Sequence, residues 1–187
     1  MILEDENLYS DRLTYRILRD DDAGPPYLDW FSDEEVVKYI ANFGNDIDTQ
    51  SLAKYIRQNN RSNNSLLLGI FTQDHLVHIG NIRLSDINLA KSRGSIGILI
   101  GNKKYWGQGL ASEAIGCFTN FSQKKLGLKR IFAGCHHDNR ASVKSFMGAN
   151  YVPFEQLSDK LSEEDNWSIG IKIDYIFMVN IDDPSFS

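Results

Sequence analysis

Hydrophobic positions along this chain switch between two periods, and the switches mark its elements. Over residues 12–18, Leu13, Tyr15 and Ile17 alternate with Arg12, Thr14 and Arg16, which is the two-residue period of a half-buried strand. Residues 1–11 are polar, carry no periodicity and read as a loose lead-in. The acidic, proline-containing run 20–26 breaks the strand; residues 28–40 and 49–58 then carry helical spacing, with Thr49 placed to cap the second helix. The polar cluster 59–65 makes a turn. Residues 66–71 and 77–84 follow as the strands of an antiparallel hairpin joined through Gln73, Asp74 and His75.

Residues 93–100 are apolar, rich in β-branched side chains and of strand length. Beyond them Leu110, Ala114, Cys117, Phe118 and Phe121 recur at three- and four-residue spacing, predicting a helix to about Lys125 that Gly127 stops. Residues 129–135 predict another strand, with Ile131, Ala133 and Cys135 on one face, and Asp138 or Asn139 caps a helix to about Ala149. Two more strands are expected at 151–157 and 169–179, separated by the acidic stretch 158–167, which reads as a solvated loop or as a flap facing a substrate. With no repeat and no low-complexity linker, residues 1–187 are expected to form one domain of mixed α/β (α+β) class.

The chemistry concentrates where the strand at 93–100 passes through a glycine turn into a helix. Gly107 and Gly109 let the backbone bend sharply and lie against a ligand, while the amides of the helix's first turn and its dipole favour an anion. The same glycines would also serve a tight connection with no ligand. Among diphosphate sites, a P-loop needs Gly-Lys-Ser/Thr where this chain has Gly109-Leu110-Ala111, and a dinucleotide GxGxxG has its third glycine replaced by Ser112. A coenzyme A pyrophosphate needs only Gly107, Gly109 and the amides of Leu110 and Ala111.

Composition narrows the partners. A net charge of −5 without any Lys/Arg-rich run argues against nucleic acid or an anionic membrane as the main partner. No apolar run approaches the roughly 20 residues of a membrane span, and the acidic residues 1–6 are unlike a signal peptide, so a cytoplasmic location is expected. Cys117 and Cys135 read as small buried hydrophobes. His75, His78, His136 and His137 lack zinc-type spacing, so no metal is expected.

The order of elements, with Ile96-Gly97-Ile98-Leu99-Ile100 leading into KYWGQGLASEA, resembles the GNAT superfamily of acetyl-CoA-dependent N-acetyltransferases, within it the RimJ/RimL-like branch. Lys104, Gly107 and Gly109 look like the family's R/Q-x-x-G-x-G/A signature, and Asn139-Arg140-Ala141-Ser142 is similar to its N-x-x-S. The resemblance implies a mixed sheet splayed between the strands at 93–100 and 129–135, the fourth and fifth in the order read here, with helices on both faces. Acetyl-CoA would be held by Ile98 and Ile100, by the turn of Lys104, Tyr105, Trp106, Gly107, Gln108, Gly109, Leu110, Ala111 and Ser112, and by Asn139 and Ser142. The family's catalytic tyrosine falls on Phe146, which leaves Ser142 as the candidate acid or as a residue that only completes its helix; Asn139 likewise contacts ligand or caps. The family's glutamate position in A-E-I-G is Ser95, so Asp86, Glu155, Asp174 and His78 stand as candidate bases beside a water relay. Its Gly-Phe after the helix is Asn150-Tyr151, workable because Asn tolerates the left-handed cap.

The expected acceptor is a primary amine of a small molecule, with an amino sugar favoured by the text around HIGNIRLSDIN and with Arg83, Asp86 and Asn88 available to its hydroxyls. A peptide or ribosomal-protein N-terminus is the alternative. Formation of a homodimer is left open. Two other readings remain: a member that binds the coenzyme without catalysis, and an NAD-binding protein using Gly107-Gln108-Gly109 with Asp138 on the ribose.

Overall fold

The structure, a computed structural model, describes residues 7–40, 47–153 and 175–181. Its strands are β1 (Leu8–Tyr9), β2 (Leu13–Ile17), β3 (Leu66–Thr72), β4 (His78–Asn88), β5 (Arg93–Ile100), β6 (Arg130–His136), β7 (Val152–Pro153) and β8 (Tyr175–Ile181). They form one sheet in the order β1-β2-β3-β4-β5-β6-β8-β7, antiparallel everywhere except between β5 and β6. Four α-helices are described: α1 (Glu34–Val37), α2 (Thr49–Asn60), α3 (Leu110–Leu126) and α4 (Arg140–Met147).

Helices cover both faces, and strand alternation sorts the core between them. Leu13, Tyr15, Leu66, Leu68, Ile70, Ile82 and Leu84 pack with Leu110, Ala114, Ile115, Phe118 and Phe121 of α3 and Phe146 of α4. Leu67 and Phe71, pointing the other way, pack with Leu52, Ala53 and Ile56 of α2 and with Tyr27, Trp30 and Val36 before it. β3 is consequently buried along its whole length, which explains its unbroken apolar sequence.

Several expectations are corrected. The lead-in contains β1, whose Leu8 and Tyr9 pair with Tyr15 and Thr14; two residues are too few to show a period. The helix expected at 28–40 is divided into a 3₁₀ turn at Asp29–Ser32 and α1. Asp33 divides them: its backbone is extended, and its carboxylate accepts the Glu35 amide and pairs with Lys103 Nζ at 2.6 Å. Asp48, not Thr49, caps α2, accepting from Ser51 N while Ser51 Oγ takes the Asp48 amide. Of the two last strands, only Val152–Pro153 and Tyr175–Ile181 are described; the loop at 158–167, Glu155 and Asp174 lie outside the described residues.

Candidate coenzyme and acceptor site

The splay lies where it was expected. β5 and β6 pair in parallel only through Arg93, Gly94 and Ser95 opposite Arg130, Ile131 and Phe132, whereas β5 stays paired with β4 as far as Ile100 opposite Gly80. The Gly101 amide donates to Ile79 O at 2.9 Å. Alternation along the strand then aims Leu99 and Gly97 at β4, and turns the N–H and C=O groups of Ile98 and Ile100 to the seam. Among the described residues the sheet therefore carries a stretch of unpaired backbone in its middle, which calls for partners. One of those groups is already taken. Trp106 Nε1–H donates to Ile100 O at 2.7 Å, so at Ile100 only the amide remains for a ligand. Gly101, just past the strand, accepts the Trp30 ring against its backbone, where a Cβ would collide.

The glycine turn follows at once. A 3₁₀ turn at Lys103–Tyr105 leads to Gly107 (φ 73°) and Gly109 (φ 76°), and Gly109 is the residue from which α3 begins. Both glycines are exposed, and no heavy atom lies within 4 Å of where a Gly107 Cβ would stand. Gln108 folds back so that its Nε2 donates to Lys104 O at 2.7 Å. The far end of the chain holds the turn in place. Arg12 Nη1 donates to Gln108 O at 3.0 Å and its Nε to Glu113 Oε2 at 2.7 Å, while the Arg12 amide and Ser10 Oγ donate to Glu113 Oε1 at 2.8 and 2.7 Å. Burial alone would raise the Glu113 carboxyl; the bonds from Ser10 and Arg12 outweigh it and hold it below the ordinary range. Arg12 and Glu113 thus brace the turn together, a contact that local sequence does not reveal because 101 positions separate them.

Beside the turn, α3 and α4 approach so closely that a Cβ on Gly148 would stand 2.7 Å from Ser112 Oγ. The cleft they flank has a volume of about 500 Å³, and Ser112, His137, Arg140, Lys144 and Met147 are among its lining residues. Arg140 and Lys144 are exposed and one helical turn apart, so they offer two positive charges next to the positive end of α3. Neither was singled out from sequence, although their i, i+4 spacing directly after Asn139 was a usable signal.

Asn139 Oδ1 accepts the Ser142 amide at 3.0 Å, so Asn139 caps α4. Ser142 is partly buried and its Oγ lies 3.4 Å from Cys135 Sγ, at the seam end of β6. Burial raises the Cys135 thiol and pushes the half-buried Cys117 thiol up to about 11, consistent with packing roles. Phe146 is 2% exposed and stands edge-on to Tyr151 at 5.0 Å, in the core rather than in the cleft. Asn150 takes the left-handed cap with φ 63°.

The base candidates disperse. His78 is 7% exposed, stacked on Phe71 at 4.5 Å with its Nε2 against Gly80 O and Asn81 Oδ1. Burial lowers its pKa, despite the Asn81 bond, and keeps it neutral. Asp86 is exposed with φ 53° in the irregular stretch between Ser85 and Asn88, and Asn88 Oδ1 accepts the Lys91 amide. Both belong to the end of β4 where β5 and β6 are still joined, away from the glycine turn. Arg83 is different: it pairs with Gly97 at the seam. His136, His137 and Asp138 bring ligand-type atoms within 4.8 Å of one another at the end of β6, a grouping outside helical or CxxC-type zinc spacing.

The comparisons with known proteins agree with this geometry. The acetyltransferase (GNAT) domain model matches residues 12–149. No curated protein sequence matches significantly. Among solved structures, the GNAT-family acetyltransferase from Bacillus anthracis is 18% identical with a TM-score of 0.71, covering 94% of this chain and 98% of that one. The spermidine N-acetyltransferase from Vibrio cholerae, solved with CoA and spermine, is 18% identical with a TM-score of 0.72, covering 92% and 96%. The microcin C7 self-immunity acetyltransferase MccE, solved with acetyl-CoA and AMP, is 17% identical with a TM-score of 0.71, covering 92% and 93%. A parting sheet, a left-handed glycine turn opening α3 and a family model spanning both lead to one conclusion: this chain belongs to the GNAT acetyltransferase family and is an acyltransferase.

Proposed function

We propose that the protein transfers an acetyl group from acetyl-CoA to a primary amine of a small molecule, an amino sugar being the favoured class, as a RimJ/RimL-like member of the family. The observation that carries this reading is the early end of the β5–β6 ladder at Ser95 directly before the glycine turn. It lines up unpaired strand amides, an anion-binding helix start and the Arg140–Lys144 cleft, which suit in turn an amide-containing arm, a diphosphate and a further phosphate. Opposite these, the amine nitrogen attacks the thioester carbonyl carbon, the C–N bond forms and the C–S bond breaks. The nitrogen gives up its extra proton to water, and the departing thiolate takes one from the Ser142 hydroxyl as that oxygen regains one from water. A peptide N-terminus is the competing acceptor.

The test is isothermal titration of acetyl-CoA into the native chain and three variants. Gly109→Glu places a carboxylate where the diphosphate would lie; Gly109→Ala carries the same left-handed strain at φ 76° without the charge. Lys125→Glu makes a larger charge change about 24 Å along α3. Gly109→Glu is expected to lose well over tenfold in affinity, about 1.4 kcal/mol, and far more than the other two. Unchanged affinity in a folded Gly109→Glu removes the reading.

A further inference from the structure

On the face of the seam turned toward α2, two positions carry no side chain. Gly97 of β5 is exposed with nothing within 4 Å of a Cβ position, and Gly134 of β6 is exposed too. Gly134 alternates with Ile131, Ala133 and Cys135, which pack on the α3 side, so it shares the α2 face with Gly97. Arg83 stands on that same face as the strand partner of Gly97, beside the Ser85–Ser95 pair. In the β4–β5 ladder no other cationic side chain is paired with β5 from Ile96 to Ile100.

Arg83 is held in place rather than neutralised. Its Nε donates to Ser65 Oγ at 3.1 Å, Ser65 Oγ donates to Asn59 Oδ1 at 2.7 Å, and Asn59 Nδ2 donates to the Tyr55 carbonyl of α2 at 2.9 Å. Asn59 and Ser65 are both buried, 6% and 7% exposed. The guanidinium carbon lies 6.0 Å from the centre of the Tyr55 ring. Among the described residues no carboxylate pairs with Arg83, whereas Arg12, Arg16 and Arg57 each have one. A partly buried guanidinium fixed through Nε keeps its two terminal amino groups in the fork that matches a carboxylate or phosphate. That fork, without a carboxylate among the described residues, is placed to take an anion.

We propose that Arg83 anchors a negatively charged group of the acceptor, so that the amine acetylated here belongs to a molecule that also bears a carboxylate or phosphate, not to a polyamine. This rests on the acetyltransferase reading above and adds the acceptor's charge to it. The amine end then lies over Gly97 and Gly134, where the absence of side chains gives it access to the seam.

Thiol release from acetyl-CoA is measured with matched amines: glucosamine, glucosamine 6-phosphate, glycylglycine, its amide and spermidine. The native chain is expected to use the phosphate or the carboxylate member at least tenfold better, in kcat/KM, than its uncharged partner, and the two pairs tell phosphate from carboxylate. Arg83→Gln should raise KM for the anionic member about tenfold with kcat little changed, Arg83→Lys should keep part of the preference, and acetyl-CoA affinity by titration should match native in both. That titration also reports folding of the variants at the coenzyme site. Spermidine used as well as any anionic amine, or a preference that survives Arg83→Gln, overturns the proposal. Should no amine turn over, titration of the same compounds decides: coenzyme bound but glucosamine 6-phosphate and glycylglycine unbound overturns the anchor alone. Failure of the native chain to bind acetyl-CoA overturns the acetyltransferase reading and this proposal together.

Discussion

Glu113→Ala tests whether the glycine turn is held from a distance. The substitution removes a carboxylate only 14% exposed that receives Ser10 Oγ, the Arg12 amide and Arg12 Nε, and that sits in the first turn of α3. Hydrogen bonds to charged groups contribute about 1.5–3 kcal/mol each in favourable settings, but Arg12 is 51% exposed, which reduces its ion pair to about 1 kcal/mol or less. Water replaces part of the rest, so about 2–3 kcal/mol is expected, or a fall in Tm of roughly 5–10 °C for a chain of this size. Because Arg12 also holds Gln108 O, acetyl-CoA affinity should fall with it. The pH dependence has a definite sign. The carboxyl is held below its ordinary value, so its contribution is full above the unfolded value of about 4.3 and is lost as pH falls through the lower folded value. Thermal melts of native and variant from pH 7 down to pH 3 should therefore converge at the acid end. A variant that melts within 1 °C of native at pH 7, or a gap that widens toward pH 3, refutes the reasoning.

Ser142→Ala leaves the backbone bond to Asn139 intact, so kcat should drop about 100-fold with coenzyme affinity kept if the hydroxyl is the acid; an unchanged kcat removes that role. Neutralising both cleft charges in Arg140→Ala/Lys144→Ala should weaken acetyl-CoA about tenfold by titration and leave acetyl-pantetheine, which lacks the nucleotide phosphates, unaffected. Phe146→Tyr should destabilise by about 1–3 kcal/mol in denaturant melts, because its new hydroxyl enters the packed contact with Tyr151, and should not raise kcat; a faster enzyme would mean that position 146 faces the reaction after all.

Local signals carried most of the fold into view. β5 has the bounds its apolar run predicted, Gly127 ends α3 with φ 67°, and Asn150 occupies the left-handed position expected of it. Competition by side chains for backbone groups was not legible: helical spacing at 28–40 does not register that the Asp33 carboxylate takes the Glu35 amide and Lys103. The candidate site was legible where it is contiguous, as in the glycine turn and Asn139–Ser142. It was hidden where residues far apart meet, as with Arg12 and Glu113, or Arg83 and the buried Asn59–Ser65 relay. The missing tyrosine is instructive in a different way, since Phe146 fills core volume beside Tyr151 and helical counting alone could not say which way it points.

The indole bond to Ile100 bears on solubility. A strand with unpaired groups is a template on which a neighbouring chain can add its own strand, and most proteins confine such edges to the periphery, where charge or proline blunts them. Here the template is internal, beginning beyond Ser95, and Trp106 removes its outermost acceptor. What stays open is centred on Ile98, about one repeat of a ladder. That is too short to recruit a foreign β-strand, which needs several consecutive pairs to offset the ordering of its backbone, yet long enough for the one or two amides of a small flexible ligand. Trp106 thus shortens the stretch of interrupted sheet on which a second strand could pair.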